Sequence, residues 1–274
     1  MPFMTIPLNH KTAVVTGAAG GLGRALALEL HAHGCHLALI DRDRAGLEAL
    51  QSAIGRQEQR VTIHCIDVSD EAAVARARME ILAAHADVDL LINNAGISVS
   101  RRFADLDEPD FQRVMAVNFW GAVYCSRHFL PDLKTRPDSR LVNISSDFAL
   151  LGFPGKTAYG ASKGALNSFT CSLQTELAGA APRVCLVIPP PMPTGLVRDG
   201  GHSNPAARAV EMDFLTKNGM PSTRAAARIV RSIRRGQGRI VVGSMMFWVD
   251  ACSRFFPTIL HWWIGRNKSF KRFA

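Results

Sequence analysis

Short apolar runs, each followed by a longer segment of helical periodicity, recur along most of this chain, and that alternation leaves few folds open. The runs are Thr12–Thr16 (TAVVT), Cys35–Asp41 (CHLALID), Val61–Ile66, Val88–Ile92, Arg140–Ser145 (RLVNIS), Arg183–Ile188 and Arg239–Val242. Between them, Leu22–His33, Arg44–Ile54, Glu71–Ala84, Asp110–Leu130 and Thr157–Leu177 read as helices. Strands apolar on both faces must be covered on both faces, and connecting them through helices makes them parallel. With right-handed crossovers, the pattern predicts an α/β fold: one doubly wound parallel sheet with helices on both sides.

Two regions depart from the pattern. Pro189–Pro221, rich in Pro, Gly and Met, is expected to be a long loop or lid (about 190–222) over the carboxyl edge of the sheet. Residues 245–274 form a hydrophobic and basic C-terminal extension, leaving 1–244 as one domain with no internal repeat or low-complexity linker.

Hydrophobic residues make up 47% of the chain and charged ones 20%, enough for a sizeable core and against disorder. The net charge of +9 is concentrated in an arginine series (224, 228, 231, 234, 235, 239) and at the very end. With no zinc-finger spacing, nucleic acid is not expected as a partner. The six cysteines stand singly in apolar segments, without CxxC pairs or a metal-ligand cluster. They read as buried thiols in a reducing compartment, and no metal is expected. Met1–Lys11 lacks the pattern of a secretory signal, so a cytoplasmic location is expected.

Directly after the first strand comes Thr16-Gly17-Ala18-Ala19-Gly20-Gly21-Leu22-Gly23, opening a helix. Glycines permit the tight turn and let backbone N–H groups approach a pyrophosphate at the helix N-terminus. In this context the turn points to a dinucleotide cofactor and a Rossmann-type sheet. Asp41, ending the second strand, is placed to bond the adenosine ribose hydroxyls and to repel a 2′-phosphate, which favours NAD. Arg42 beside it offers a cation that would accommodate NADP.

Tyr159-Gly160-Ala161-Ser162-Lys163 puts a phenol and an ammonium one helical turn apart on one face. A nearby cation favours the phenolate and lowers the phenol's pKa from roughly 10. Such a tyrosine can pass a proton to or from an alcohol or carbonyl oxygen.

Together these segments resemble the short-chain dehydrogenase/reductase family, over about Lys11 to Thr194 with a looser continuation to Val242. The resemblance rests on TGAAGGLG at 16–23 (the family's TGxxxGxG), Asn93-Asn94-Ala95-Gly96 (NNAG) after the fourth strand, Asn118, Ser146, and Tyr159-x-x-x-Lys163. It implies Tyr159 as catalytic acid/base, with Lys163 depressing its pKa and bonding the nicotinamide ribose. Ser146, rather than Ser145, would hold the substrate oxygen with Tyr159. Asn118 would support a water-linked proton path to Lys163. Gly17, Gly21, Leu22 and Gly23 would cradle the cofactor, Asp67 and Val68 would contact adenine, and Asn94 and Gly96 would line the adenosine side. The family usually carries Pro-Gly after the sixth strand; here Pro190 replaces the glycine in Pro189-Pro190-Pro191-Met192-Pro193-Thr194. Thr194 keeps the offset of the residue that touches the carboxamide.

The implied reaction is alcohol–carbonyl interconversion by hydride transfer. Phe148, Leu150, Leu151 and Phe153, with Met192, Leu196, Met212 and Phe214 in the lid, predict a lipophilic substrate: steroid-, retinoid-, terpene- or fatty-chain-like. Alternatives are an NADP-dependent ketone reductase and a cofactor-binding regulator or scaffold without turnover. A homodimer or homotetramer is expected. The tail, with Phe247, Trp248, Phe255, Phe256, Trp262 and Trp263 ahead of Arg266, Lys268, Lys271 and Arg272, is interrupted by Asp250, Arg254, Pro257 and His261. It reads either as helix packing on the domain or a second subunit, or as a peripheral membrane anchor.

Overall fold

The structure, a computed structural model, describes residues 5–55, 58–198, 201–202 and 205–267. The chain runs β1 (Thr12–Thr16), α1 (Gly21–Ala32), β2 (His36–Asp41), α2 (Arg44–Ile54), β3 (Val61–Cys65), α3 (Glu71–His85), β4 (Leu90–Asn93) and β5 (Val99–Ser100). It continues through α4 (Glu108–Met115), a π-helical turn (Ala116–Trp120), α5 (Gly121–Lys134), β6 (Arg140–Ile144), α6 (Thr157–Glu176) and β7 (Arg183–Ile188). The remaining elements are α7 (Gly195–Arg198), β8 (Gly201–His202), α8 (Pro205–Asn218), α9 (Ser222–Arg234), β9 (Arg239–Val241), α10 (Ser244–Phe255) and α11 (Pro257–Arg266).

Seven strands form one parallel sheet in the order β3-β2-β1-β4-β6-β7-β9. The strand order reverses between β1 and β4, and the crevice beyond the carboxyl ends at that point is where such sheets take ligands. Alternation along β1 sends Ala13 and Val15 into the core beneath α1, α2 and α9, and Val14 into the core beneath α3 and α5. The doubly wound expectation is met.

Four local expectations change. Val61–Cys65 is only partly buried because β3 is an edge strand. The helix expected over Asp110–Leu130 begins at Glu108, runs to Lys134 and contains a π-helical turn centred on Asn118. The lid is not simply a loop: it folds into α7 and α8, and β8 pairs with β5 in a separate two-stranded sheet. Of the six cysteines, Cys35, Cys125 and Cys185 are buried, whereas Cys65 and Cys171 are exposed.

The tail forms two short helices, broken at Pro257, and among the described residues no helix is long and apolar enough to cross a membrane. Helix α10 is tied to edge strand β9 through Asp250, which pairs with Arg239 and, at 3.5 Å, with Arg254. Lys268, Lys271 and Arg272 lie outside the described residues.

Candidate active site

The glycine turn closes tightly because side chains are missing where the backbone crosses itself. Gly17 has φ +64, and a Cβ there would sit 2.8 Å from the Ala95 Cα. A Cβ on Gly23 would meet the Gly17 carbonyl oxygen at 1.9 Å, so α1 can start against the turn only with glycine at that place. Gly21, at φ +54, faces Thr194 across the cleft, with 3.3 Å from its would-be Cβ to the threonine Cβ. The turn is braced from the NNAG segment: the Asn94 side-chain amide donates to the carbonyls of Thr16 (3.0 Å) and Gly17 (3.2 Å). Asn94 therefore both lines the cleft and holds the turn in shape.

Asp41 accepts from the Ala19 N–H (2.9 Å) and the Asp43 N–H (3.1 Å), so one carboxylate fixes the turn and the start of α2. Asp41, Arg42, Asp67, Val68 and Gly96 line a small cavity continuous with the main cleft through Gly17, Asp41 and Gly96. Asp67 also closes its own turn by accepting from the Ser69 N–H (2.9 Å) and hydroxyl (2.7 Å). Val68 is buried against Gly121 of α5. The main cleft, about 410 Å³, runs from the glycine turn past Leu22 to Tyr159, Lys163 and Thr194.

At its far end α6 delivers Tyr159 and Lys163 to the cleft wall, where Ser145 rather than Ser146 stands beside them; Ser146, Tyr159 and Lys163 are all nearly inaccessible to solvent. Ser146 lies within hydrogen-bonding reach of the Tyr159 hydroxyl, donates to Asp147 Oδ1 (2.9 Å) and accepts from the Phe148 N–H (3.2 Å). Ser145 instead donates to Asn167 at 2.5 Å. Lys163 Nζ donates to the Ile144 carbonyl (2.9 Å). Burial lowers its pKa to about 8.

Burial pushes the Tyr159 phenol above its ordinary range; the Ser146 bond opposes the rise, and the Asp147 and Glu211 charges add to it. The depression expected from Lys163 does not govern the phenol here, because that ammonium is itself desolvated and committed to a backbone carbonyl. Asn118, in the π-helical turn, has its side chain fully engaged: its amide donates to the Ile97 carbonyl (2.9 Å) and Ser162 hydroxyl (3.0 Å), and its carbonyl accepts from the Ile97 N–H (2.8 Å). Ser162 in turn donates to the Tyr159 carbonyl (2.7 Å), linking Asn118 to α6. Such single-turn π-bulges recur at functional sites.

The sequence reading missed a buried charge pair. Lys156, immediately before α6, meets Glu211 of α8 at 2.8 Å, the two side chains being 2% and 4% exposed. Lys156 also donates to Ser100 and to Ser98 (3.4 Å). The pair fastens lid helix α8 to the segment that presents Tyr159. Its only sequence signal is a lysine three residues before the tyrosine; Glu211 stands far off in a stretch that looked like loop.

Residues 11–204 match the short chain dehydrogenase family. The chain belongs to the short-chain dehydrogenase/reductase family. Over its sequence it is 35% identical to SadH of Mycobacterium tuberculosis, with 89% of this chain and 90% of that protein aligned. Among solved structures, a short chain dehydrogenase/reductase from Burkholderia phymatum in complex with NAD superposes with a TM-score of 0.81 at 27% identity, covering 91% of this chain and 93% of that one. A Burkholderia cenocepacia short chain dehydrogenase in complex with NADP shares the fold, with a TM-score of 0.77 at 24% identity over 94% of this chain and 99% of that one. A dinucleotide fits the cleft: its pyrophosphate end has a side-chain-free turn at the N-terminus of α1, its adenosine end an acid on β2, and its far end Tyr159 and Lys163. Among the described residues no group of His, Cys, Asp or Glu could hold a metal.

Proposed function

We propose that this short-chain dehydrogenase/reductase interconverts a lipophilic alcohol and its carbonyl, using NAD(P), with Tyr159 as acid/base. The observation that carries the reading is the buried Tyr159–Lys163 pair, with Ser146 in reach of the phenol, at the far end of a cleft that begins at the glycine turn. When bound, the nicotinamide supplies or accepts the hydride. The protein's part is to hold the carbon in place and to manage one proton.

The Tyr159 phenol, raised by burial, is protonated at neutral pH and suited to donate to a carbonyl oxygen. Accepting a proton from an alcohol requires phenolate, which Lys163 favours only as a cation, and its pKa near 8 makes that help fade above neutral pH. Ser146 orients the substrate oxygen once its hydroxyl turns from Asp147 toward it. Asn118, fixed to Ile97 and Ser162, positions α4–α5 against α6 beside the proton route to Lys163.

NAD is the preferred cofactor on Asp41, whose carboxylate lines the adenosine cavity. Arg42 lines the same cavity, has an exposed side chain and no carboxylate partner among the described residues, and supports the second reading, an NADP-dependent ketone reductase. The apolar substrate is supported by Phe148, packed edge-on to Tyr159 (5.9 Å between centroids) and Phe153 (5.1 Å), and by Met192 and Leu196 in the cleft wall. Phe214 contributes less than its place in the lid promised, being 37% exposed, while Glu211 and Leu215 turn inward. A homodimer or homotetramer acting in the cytoplasm completes the proposal; exposed Trp120, stacked on Tyr124 at 5.8 Å, supports a second copy against α5.

Turnover by Tyr159→Phe decides the matter. The variant is expected to bind NADH within about threefold of wild type and to reduce no ketone; retained reduction removes Tyr159 from the role. A panel of steroid, retinoid, terpene and sugar alcohols tests the substrate class, preference for sugars being the overturning result.

A further inference from the structure

The segment from Ser222 to Arg266 carries eight arginines and a single acid, Asp250, which is buried and paired with Arg239 and Arg254. Helix α9 packs Ala225, Ala226, Ile229, Val230 and Ile233 inward, against α1. Its Arg224, Arg231 and Arg235 point to solvent, and with the half-buried Arg228 they have no carboxylate partner among the described residues. Arg224 and Arg228 line a groove of about 390 Å³ together with Met245 and Met246 at the start of α10.

Beyond that groove the surface is apolar. On α10 and α11, Phe247, Trp248, Phe255, Ile259, Trp262 and Trp263 are each at least half exposed, while only Met246, Asp250 and Ile264 are buried. Arg266 stacks its guanidinium on Trp262 at 4.6 Å. So many large apolar side chains exposed on two successive helices mark an interaction surface.

We infer that α9, α10 and α11 together are a docking face for an anionic phospholipid bilayer, with the aromatic side chains at headgroup depth and a lipid phosphate in the Arg224–Arg228 groove. Tryptophans flanked by arginines suit that boundary, and neither tail helix can span it. Charge argues against a second copy here. A two-fold contact sets this face against its own copy, and whichever residues then meet, no surface acid from Ser222 to Arg266 answers the arginines. An anionic bilayer supplies the missing charge over the whole face.

The orientation has a consequence for the cleft. Helix α11 lies on the loop between Ser146 and Tyr159: a Cβ on Gly152 would meet the His261 ring at 3.5 Å. A docked protein thus holds that aromatic-rich loop at the bilayer surface, where a lipophilic substrate is concentrated; this last step rests on the lipophilic-substrate reading, whereas docking itself does not.

The test is co-sedimentation of the full chain with vesicles of phosphatidylcholine alone, and of phosphatidylcholine with phosphatidylglycerol at about three to one. Binding is expected to the anionic vesicles only, weakened by salt, with a blue shift of tryptophan emission. Arg224→Gln with Arg228→Gln should lower the partition coefficient roughly thirty-fold. Trp248→Ser, Trp262→Ser and Trp263→Ser together should abolish the blue shift while leaving NADH affinity unchanged. Failure of the wild-type chain to bind anionic vesicles overturns the inference. So does loss of an oligomer, rather than of vesicle binding, in the tryptophan variant, which would assign the face to a second copy. Because neither readout needs a substrate, failure of the proposed reaction leaves this outcome separately legible.

Discussion

Replacing Glu211 by glutamine keeps the shape of the side chain and removes the carboxylate that meets buried Lys156 at 2.8 Å. Breaking a buried pair from one side costs about 3–5 kcal/mol, because the remaining ion stays desolvated without its counterion. Burial already lowers the Lys156 pKa, and Glu211 is the first influence raising it back. The glutamine variant can therefore relieve part of the cost by letting Lys156 shed its proton, which places the loss at the lower end of that range. With roughly 2–4 °C per kcal/mol for a large domain, the melting temperature should fall by about 6–12 °C at pH 7. The sign with pH follows from the lowered pKa. The unfolded lysine holds its proton to a higher pH than the folded one, so the penalty should shrink as pH rises from 7 to 9.5. Since α8 is the lid, KM for the ketone should rise more than kcat falls. Lys156→Met combined with Glu211→Leu should recover most of the stability, since an apolar pair of similar volume removes both stranded charges. Thermal melts and steady-state kinetics of the three proteins decide it. A glutamine variant melting within a degree or two of wild type, or a double variant as damaged as the single one, refutes the lid-fastening argument.

Three further outcomes follow from the cleft. Gly23→Ala forces a Cβ to within 1.9 Å of the Gly17 carbonyl oxygen, so the turn must open, and NADH affinity measured by fluorescence titration should drop at least a hundredfold. Asp41→Ala should shift the NADH:NADPH affinity ratio toward NADPH by at least tenfold, while lowering affinity for both because the Ala19 N–H loses its acceptor; an unchanged ratio removes Asp41 as the discriminator. Lys163→Met should be inactive yet more stable than wild type at pH 7. The wild-type ammonium is desolvated, with its pKa lowered to about 8 in the folded state. Between that value and its ordinary one the unfolded chain holds the extra proton, so wild-type stability rises with pH and the gap should close by about 3 kcal/mol by pH 10.5. Denaturant titrations at the two pH values measure it, and a constant gap rejects the buried-lysine argument.

Much of this site was legible in linear order because its parts are local. The glycine turn, Asp41 and the Tyr159–Lys163 spacing each express one turn of chain or one strand end, and backbone sterics dictate residue type there whatever surrounds them. Edge exposure of β3 was not legible, since Val61–Cys65 has an apolar pattern and only its place at the end of the sheet order leaves it half covered. The π-helical turn at Asn118 escaped detection for a similar reason. Hydrophobic periodicity reports which face of a helix is buried, not whether one hydrogen bond has slipped by a residue. The lid was misjudged as loop because prolines and glycines dominate its ends, Pro189–Pro193 and Gly219–Pro221, while α8 between them is held by Leu215 and Glu211 rather than by a clear amphipathic stripe.

The sequence by itself determined the parallel sheet, the dinucleotide cleft and the residues gathered at its end, because apolar periodicity and a few glycine-dependent turns are properties of short stretches of chain. Only the tertiary structure decided which charges are buried and which surfaces are left over. Lys156 and Glu211 become partners when α8 folds back onto the start of α6. Lys163 has its pKa lowered because the folded chain buries its ammonium away from water. The tail's aromatics stay outside because Pro257 breaks it into two helices too short to bury both their faces on one sheet edge. Burial and long-range pairing depend on where separate segments meet, and desolvation, which sets the energies of these groups, exists only once they have met.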